Sequence, residues 1–180
     1  MKKEVSLDKA RRLINPGCVL LVTAAYRDRH NVMALAWQTP LSDRPPLVGI
    51  AVAMPHFTCE LIDRSQEFAL NVPGAPLLQQ VNRCGKVSGR KTDKFEETGL
   101  TPVTAATVRA PLIGECLGHL ECAVVERYKV GDHNFYVGEV VAASAEEALF
   151  SADRWNEEAP LLHHLGGKEF YLAGERREAE

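Results

Sequence analysis

Ser88-Gly89-Arg90-Lys91-Thr92-Asp93-Lys94 gathers a hydroxyl, a glycine and three cations within seven residues. Backbone N–H groups and a hydroxyl give an anion its direction, and Arg or Lys adds charge-assisted hydrogen bonds, so the segment suits a phosphate. A second set lies upstream, Asn31 to Pro40 followed by Met54 to Thr58. Ala36-Trp37-Gln38-Thr39-Pro40 reads as the end of a strand, where Pro40 stops pairing and leaves peptide N–H and C=O groups at an edge. Met54-Pro55-His56-Phe57-Thr58 leads into a helix. His56 and Thr58 stand at its start, where the helix dipole favours a phosphate or a polyol chain carrying one. A flat heteroaromatic ring asks for this combination of apolar faces and an edge of peptide groups. The third set is Gly131-Asp132-His133, between two strand-like runs. An imidazole there can bind an amide or donate a proton.

Each set also fits a plainer role: a solvated basic loop, Trp37 in a core, Thr58 as a helix cap, His133 exposed at a hairpin tip. Other chemistries fail on spacing. Three residues separate Gly85 from Gly89, and Arg90 precedes Lys91-Thr92, which breaks the pattern of a nucleoside triphosphate loop. No Gly-x-Gly-x-x-Gly follows a strand, and neither a Gly-x-Ser-x-Gly elbow nor a His-Glu-x-x-His helix occurs. Cys116-x2-His119-x2-Cys122 has tempting ligand spacing. On a strand, however, His119 points away from both thiols, so no metal site is expected.

The elements that must position these residues follow from periodicity and turn chemistry. Ser6 caps a short helix over Leu7 to Ile14, ended by Pro16-Gly17. Cys18 to Tyr26 and Val32 to Trp37 pair as a hairpin across Arg27 to Asn31. Leu41 to Pro46 reads as a loop and Leu47 to Met54 as a central strand. A helix over Phe57 to Arg64, a strand over Glu67 to Val72 and a helix over Pro76 to Arg83 come next. The loop Gly85 to Thr92 leads to a helical turn at Asp93 to Glu97. Leu117 to Val130 and Phe135 to Ala143 flank Gly131 to Asn134 as a second hairpin, Lys168 to Leu172 is a last short strand, and Gly174 to Glu180 is a charged tail. The pattern is mainly β, an antiparallel barrel with helical insertions.

The 180 residues amount to one domain, with a core over 16–145 and an extension over 146–180. A net charge of -3 argues against general nucleic-acid binding. No apolar run approaches the roughly 20 residues of a membrane helix. Five irregularly spaced cysteines read as reduced thiols, so the expected location is the cytoplasm.

Taken in order, these motifs resemble one family. Asn31 to Trp37, Leu41-Ser42-Asp43-Arg44-Pro45-Pro46, Thr58-x-x-Leu61-Ile62 and Glu67-Phe68-Ala69-Leu70-Asn71-Val72 follow its pattern. So do Ser88-Gly89-x-x-x-Asp93-Lys94-Phe95, Leu120-Glu121-Cys122, and Gly131-Asp132-His133 with Gly138-Glu139-Val140. The chain resembles the flavin reductase-like family of FMN-binding split barrels, in particular its flavoredoxin-type branch. The resemblance implies a Greek-key split β-barrel. It also implies a homodimer that holds FMN, or FAD, near the subunit interface and passes hydride or electrons from NADH or NADPH to an acceptor, which can be a protein. By the same resemblance, Trp37, Gln38, Thr39, Pro40, Met54, His56 and Thr58 line the ring and ribityl chain. Ser88, Gly89, Arg90 and Lys94 approach the phosphate, and His133 sits near the nicotinamide. Gln38-Thr39 departs from the aromatic residue or serine of many relatives, and His163 and His164 have no family role. Two alternatives remain at this point: an electron carrier without nicotinamide turnover, and a barrel that binds some other ligand without redox chemistry.

Overall fold

Leu20, Val22 and Ala24 alternate with Leu21 and Thr23 along one strand, and both sets are buried. A strand apolar on both faces needs a layer on each side. The computed structural model, which describes residues 6–7, 10–14, 17–172 and 174, supplies those layers. In chain order its strands and helices begin with β1 (Gly17–Cys18), β2 (Leu20–Tyr26), β3 (Arg29–Leu35), β4 (Gln38–Asp43) and β5 (Pro46–Ala53). There follow α1 (Phe57–Ser65), β6 (Glu67–Val72), α2 (Leu78–Lys86), α3 (Lys94–Thr98), and the ribbon β7 (Pro102–Val103) with β8 (Leu112–Ile113). The long strands β9 (Gly118–Val130) and β10 (His133–Ala145) precede a small ribbon, β11 (Phe150–Ser151) with β12 (Arg154–Trp155). A hairpin, β13 (Leu162–Gly166) and β14 (Glu169–Leu172), comes last.

Seven strands form an antiparallel sheet in the order β3-β2-β6-β9-β10-β5-β4. Its two edges, β3 and β4, are joined by only Ala36 and Trp37. Laid flat, edges six strand spacings apart would be about 29 Å distant, while three Cα steps span at most about 11 Å. The sheet therefore rolls until its edges meet at one corner, which makes an open, split barrel. Val22, Ile50, Phe68, Leu70 and Tyr136 fill its interior beneath α1. On the outer face, Leu21 and Val32 pack with Val81 and Cys84 of α2 and Phe95 of α3. Each fully buried aliphatic or aromatic side chain contributes about 1.5–3 kcal/mol, and the two layers share β2 and β3. The small strand β13 pairs with β1 and with β14, which folds the chain's C-terminal part back beside the barrel.

The sheet is more extensive than the sequence pattern suggests. Leu41 to Asp43, expected as loop, belongs to β4, and pairing runs through Pro40, which faces Val48. An edge strand tolerates proline because the missing N–H would face outward; a bulge before Ser42 absorbs the irregularity. The two hairpin turns are also tighter, being Arg27-Asp28 and Gly131-Asp132, so His133 opens a strand instead of sitting in a loop. Gly85 is inside α2. Of the described residues in the expected N-terminal helix, only Ala10–Leu13 form a helical turn, of 3-10 type, while Leu7 lies in a turn and Ile14 in a bend; residues 8–9 and, in the tail, 175–180 lie outside the described residues.

Two carboxylates hold the loop between β7 and β8: Glu67 Oε2 accepts from Arg109 N at 2.9 Å, and Glu121 holds the stretch before it. Glu121 on β9 accepts hydrogen bonds from Ala106 N (2.9 Å), Thr107 N (2.6 Å), Thr107 Oγ1 (2.6 Å) and Val108 N (3.1 Å). Burial alone would push its pKa up, but these donors outweigh that and hold it below the ordinary carboxylate value. A carboxylate stabilised in this way adds stability above its unfolded-state pKa and loses it as pH falls through the lowered folded value. Glu121→Ala should cost about 3 kcal/mol at pH 7, on the scale of hydrogen bonds to charged groups. Urea unfolding at pH 7 and pH 3 checks this: the gap between wild type and variant should narrow at the lower pH.

Candidate functional site

A groove opens along β3, where α2 lies against that edge of the sheet. One end, of about 330 Å3, is mostly apolar, with Met33, Leu35, Trp37, Ala51 and Val81 in its wall. The other end, of about 240 Å3, is polar, with Asn31, Thr58, Ser88, Gly89 and Lys94. Met33, Ala34, His56, Gly85 and Lys86 line both ends, so the two are one elongated space. The apolar end alone reaches the lower part of the range of small-molecule sites, about 300–1,000 Å3.

Local structure accounts for the polar end. The Asp93 carboxylate caps α3 by accepting from Phe95 N (2.9 Å) and Glu96 N (3.3 Å). That makes Lys94 the first helical residue, and its ammonium donates to Cys84 O at 2.7 Å. Lys94 is only 4% exposed, yet it takes part in none of the ion pairs among the described residues. Burial lowers its pKa below that of an ordinary lysine. Asn31, also buried, donates through Nδ2 to Thr58 Oγ1 at 2.7 Å, while its Oδ1 is buried with no donor among the described residues. A Cβ on Gly89 would lie 1.9 Å from that oxygen, so only glycine lets the loop approach this closely. Thr58 is inside α1 and does not cap it; His56 occupies the N-cap and makes no side-chain cap bond, which leaves the helix start turned to the groove. Burial lowers the His56 pKa, helped by the charge of Lys94, so a neutral imidazole stands between the two ends.

Register accounts for the apolar end. Ala51 N bonds Trp37 O at 2.9 Å, and His133 pairs with Ala53. Ala51 and Ala53 are two apart on β5, so Trp37 and His133 share one face of the sheet over two small side chains. Their rings stack at 4.8 Å with planes 30° apart. His133 Nδ1 meets Asp132 Oδ1 at 2.6 Å; an ionised carboxylate only accepts, so Nδ1 carries the hydrogen and Nε2 is the acceptor of the neutral ring. Trp37 is thus a wall of the site, not a core residue, and His133 is not a free hairpin tip.

Other residues named from the sequence lie elsewhere. Arg90 bonds Glu60 at 2.5 Å and lies over the Phe57 ring, away from the groove. Gln38 and Thr39 line instead an adjoining apolar depression with Ile14 and Phe135, which shares Trp37 and Ala51 with the groove wall, because β4 continues as an edge strand past them. Gln38 Nε2 donates to Cys18 O at 3.4 Å. Neither Pro40 nor Met54 lines the groove; Met54 is exposed, its backbone N bonded to Asp132 O.

The groove also has walls that sequence reasoning passed over. Asn31 opens the segment Asn31 to Pro40, which the sequence sets against the ring, but the pattern gives its own side chain no role there. His164 and Phe170 carried no signal, since only the fold of the β13–β14 hairpin brings them to the apolar end. Among the described residues no three His, Cys, Asp or Glu side chains converge as metal ligands; His119 Nε2 is instead within 2.9 Å of Ile113 O.

Comparison with known proteins agrees with this architecture. The chain is 34% identical over 179 residues to the uncharacterized protein YddH of Escherichia coli K12, covering 96% of this chain and 95% of that protein. It is 30% identical over 164 residues to the NADH-dependent FAD reductase of Streptomyces globisporus, with 81% of each chain covered. The crystal structure of flavoredoxin from Methanosarcina acetivorans superposes with a TM-score of 0.88 at 30% identity, over 99% of this chain and 95% of that one. Residues 11–170 match the flavin reductase like domain as a family. The rolled sheet and the motifs along it are therefore those of a shared fold, and the chain belongs to the flavin reductase-like family.

Proposed function

We propose that the chain is a flavin-dependent oxidoreductase that holds FMN along the groove and passes electrons from NADH or NADPH to an acceptor. The observation that carries this reading is Lys94. A nearly buried ammonium without a carboxylate partner is costly unless an anion completes it, and the polar end of the groove is where that anion would go. The lone Asn31 Oδ1 needs a donor, which a ribityl hydroxyl supplies; Ser88, the Gly89 loop and the uncapped start of α1 suit the phosphate. The apolar end, between Trp37 and the small Ala51 and Ala53, suits a flat ring.

Bound flavin supplies the redox chemistry, accepting hydride from a reduced nicotinamide and returning electrons to the acceptor. The chain's own part is to bind and orient. Lys94 neutralises the phosphate, and the groove wall keeps water from one side of the ring. His133, its plane fixed by Trp37 and its tautomer by Asp132, offers Nε2 to the nicotinamide amide. Five free thiols, four of them buried, accord with the reducing cytoplasm as its location. A homodimer belongs to the same proposal, supported by the second apolar depression of about 400 Å3 behind Trp37 and by exposed Trp37 and Leu41 near it. Light scattering reading a single chain's mass would remove that part.

Lys94→Met should weaken FMN retention on desalting about tenfold to a hundredfold, the loss of charge-assisted bonds to a phosphate. Arg90→Met, outside the groove, should change it by less than about threefold; equal losses would return Arg90 to the phosphate site. Gly89→Ala should also release FMN, read by flavin absorbance in the retained fraction, because the added carbon collides with Asn31.

Without oxygen, NADH or NADPH should bleach bound FMN, and His133→Ala should slow that bleaching about tenfold with flavin still retained. Flavin that is held firmly yet bleached by neither nucleotide would make the protein an electron carrier instead.

A further inference from the structure

A third cleft, of about 230 Å3, begins where the polar end of the groove stops. Arg29, Phe57, Gly89, Arg90 and Lys91 line it. Phe57 and Gly89 belong to both spaces, so they adjoin at the loop that closes on Asn31. The holding of FMN proposed above makes no use of this cleft.

Its chemistry is cationic and planar. The Arg29 guanidinium lies over the Phe57 ring, 4.1 Å from the centroid, and Arg90 approaches the same ring at 5.3 Å. Phe57 itself is buried, while both arginines are exposed. A guanidinium held over an aromatic ring keeps its outer face for a second flat system, such as a nucleobase. Glu60 anchors Arg90. Lys91 is in none of the ion pairs among the described residues and adds a point charge suited to a phosphate. Of the two carboxylates in the cleft, Asp93 is engaged with the α3 amides and with His30 at 3.5 Å. Asp28, at the β2–β3 turn, is left to accept from a sugar hydroxyl or an exocyclic amine.

We infer that this cleft is a subsite for an adenosine 5′-phosphate group, with the base on Arg29 and the phosphate on Lys91 and Arg90. Its place beside the flavin phosphate rests on the flavin reading above. Two molecules carry that group: FAD, whose adenylate would continue directly from the phosphate next door, and a nicotinamide dinucleotide.

Calorimetric titration with 5′-AMP, FMN and FAD tests this on the full chain and on an Arg29→Gln/Lys91→Gln variant, with thermal unfolding to check that the exposed substitutions leave it folded. Wild type should bind AMP with FMN already present, and the variant should lose at least tenfold in AMP affinity. If FAD is the source, the variant also loses about tenfold for FAD and less than twofold for FMN. If the nicotinamide dinucleotide is the source, both flavins bind as before, and the NADH concentration for half-maximal flavin bleaching rises instead. No AMP binding by wild type, an unchanged AMP affinity in the variant, or equal losses for FMN and FAD would overturn the inference. AMP binding through these residues in a protein that takes neither flavin would keep the subsite and remove the flavin reading; FMN binding without AMP would do the reverse.

Discussion

Two residues, Ala36 and Trp37, connect opposite edges of a seven-stranded sheet, and most of the molecule follows from that short link. A sheet whose edges must meet has to roll, and a rolled sheet has a closed interior and an outer face that both need cover. The interior takes Phe68, Tyr136 and α1; the outer face of β2 and β3 takes α2 and α3. The groove is the space left where α2 does not quite meet β3. The same link sets Trp37 beside β5, within stacking distance of His133, although 95 positions of sequence separate the two.

Two buried charges show how this frame separates structure from function. Glu121 is surrounded by the protein's own donors, which lower its pKa and fix a loop. Lys94 donates to the neutral Cys84 O, is in no direct ion pair among the described residues, and has a pKa pulled down by burial. A satisfied charge is a fastening; a buried ammonium in no direct ion pair among the described residues is the observation on which the proposed phosphate site rests. Asn31 repeats the contrast within one side chain, its amide N–H paired to Thr58 and its oxygen left over.

Much of the fold was legible along the chain. The strand Glu67–Val72 has the bounds expected of it, and the helix from Phe57 runs one residue beyond expectation. Errors came at edges and turns. A proline implies the end of a strand, yet Pro40 sits in an edge strand where its missing N–H costs nothing. The pattern places His133 in a loop, and the two-residue turn puts it in a strand. At the site, Ser88, Gly89, Lys94, His56, Thr58, Trp37 and His133 were all picked out by type and spacing, and all line or border the groove. Arg90 was picked out by the same reasoning and points elsewhere, since the nearby carboxylate of Glu60 holds it.

The sequence by itself determined the elements, because periodicity and turn residues act over a few positions and need no partner from far along the chain. It also determined which residue types could serve a phosphate, a flat ring and an imidazole contact. Only the tertiary structure decided which of those residues face one another. Arg90 and Lys94 are four apart and both cationic, yet one lies exposed against Glu60 and the other is buried at the groove. His164 and Phe170 join the site solely because β13 pairs with β1. Side-chain direction depends on register and on charges contributed by distant segments, and no local pattern encodes either.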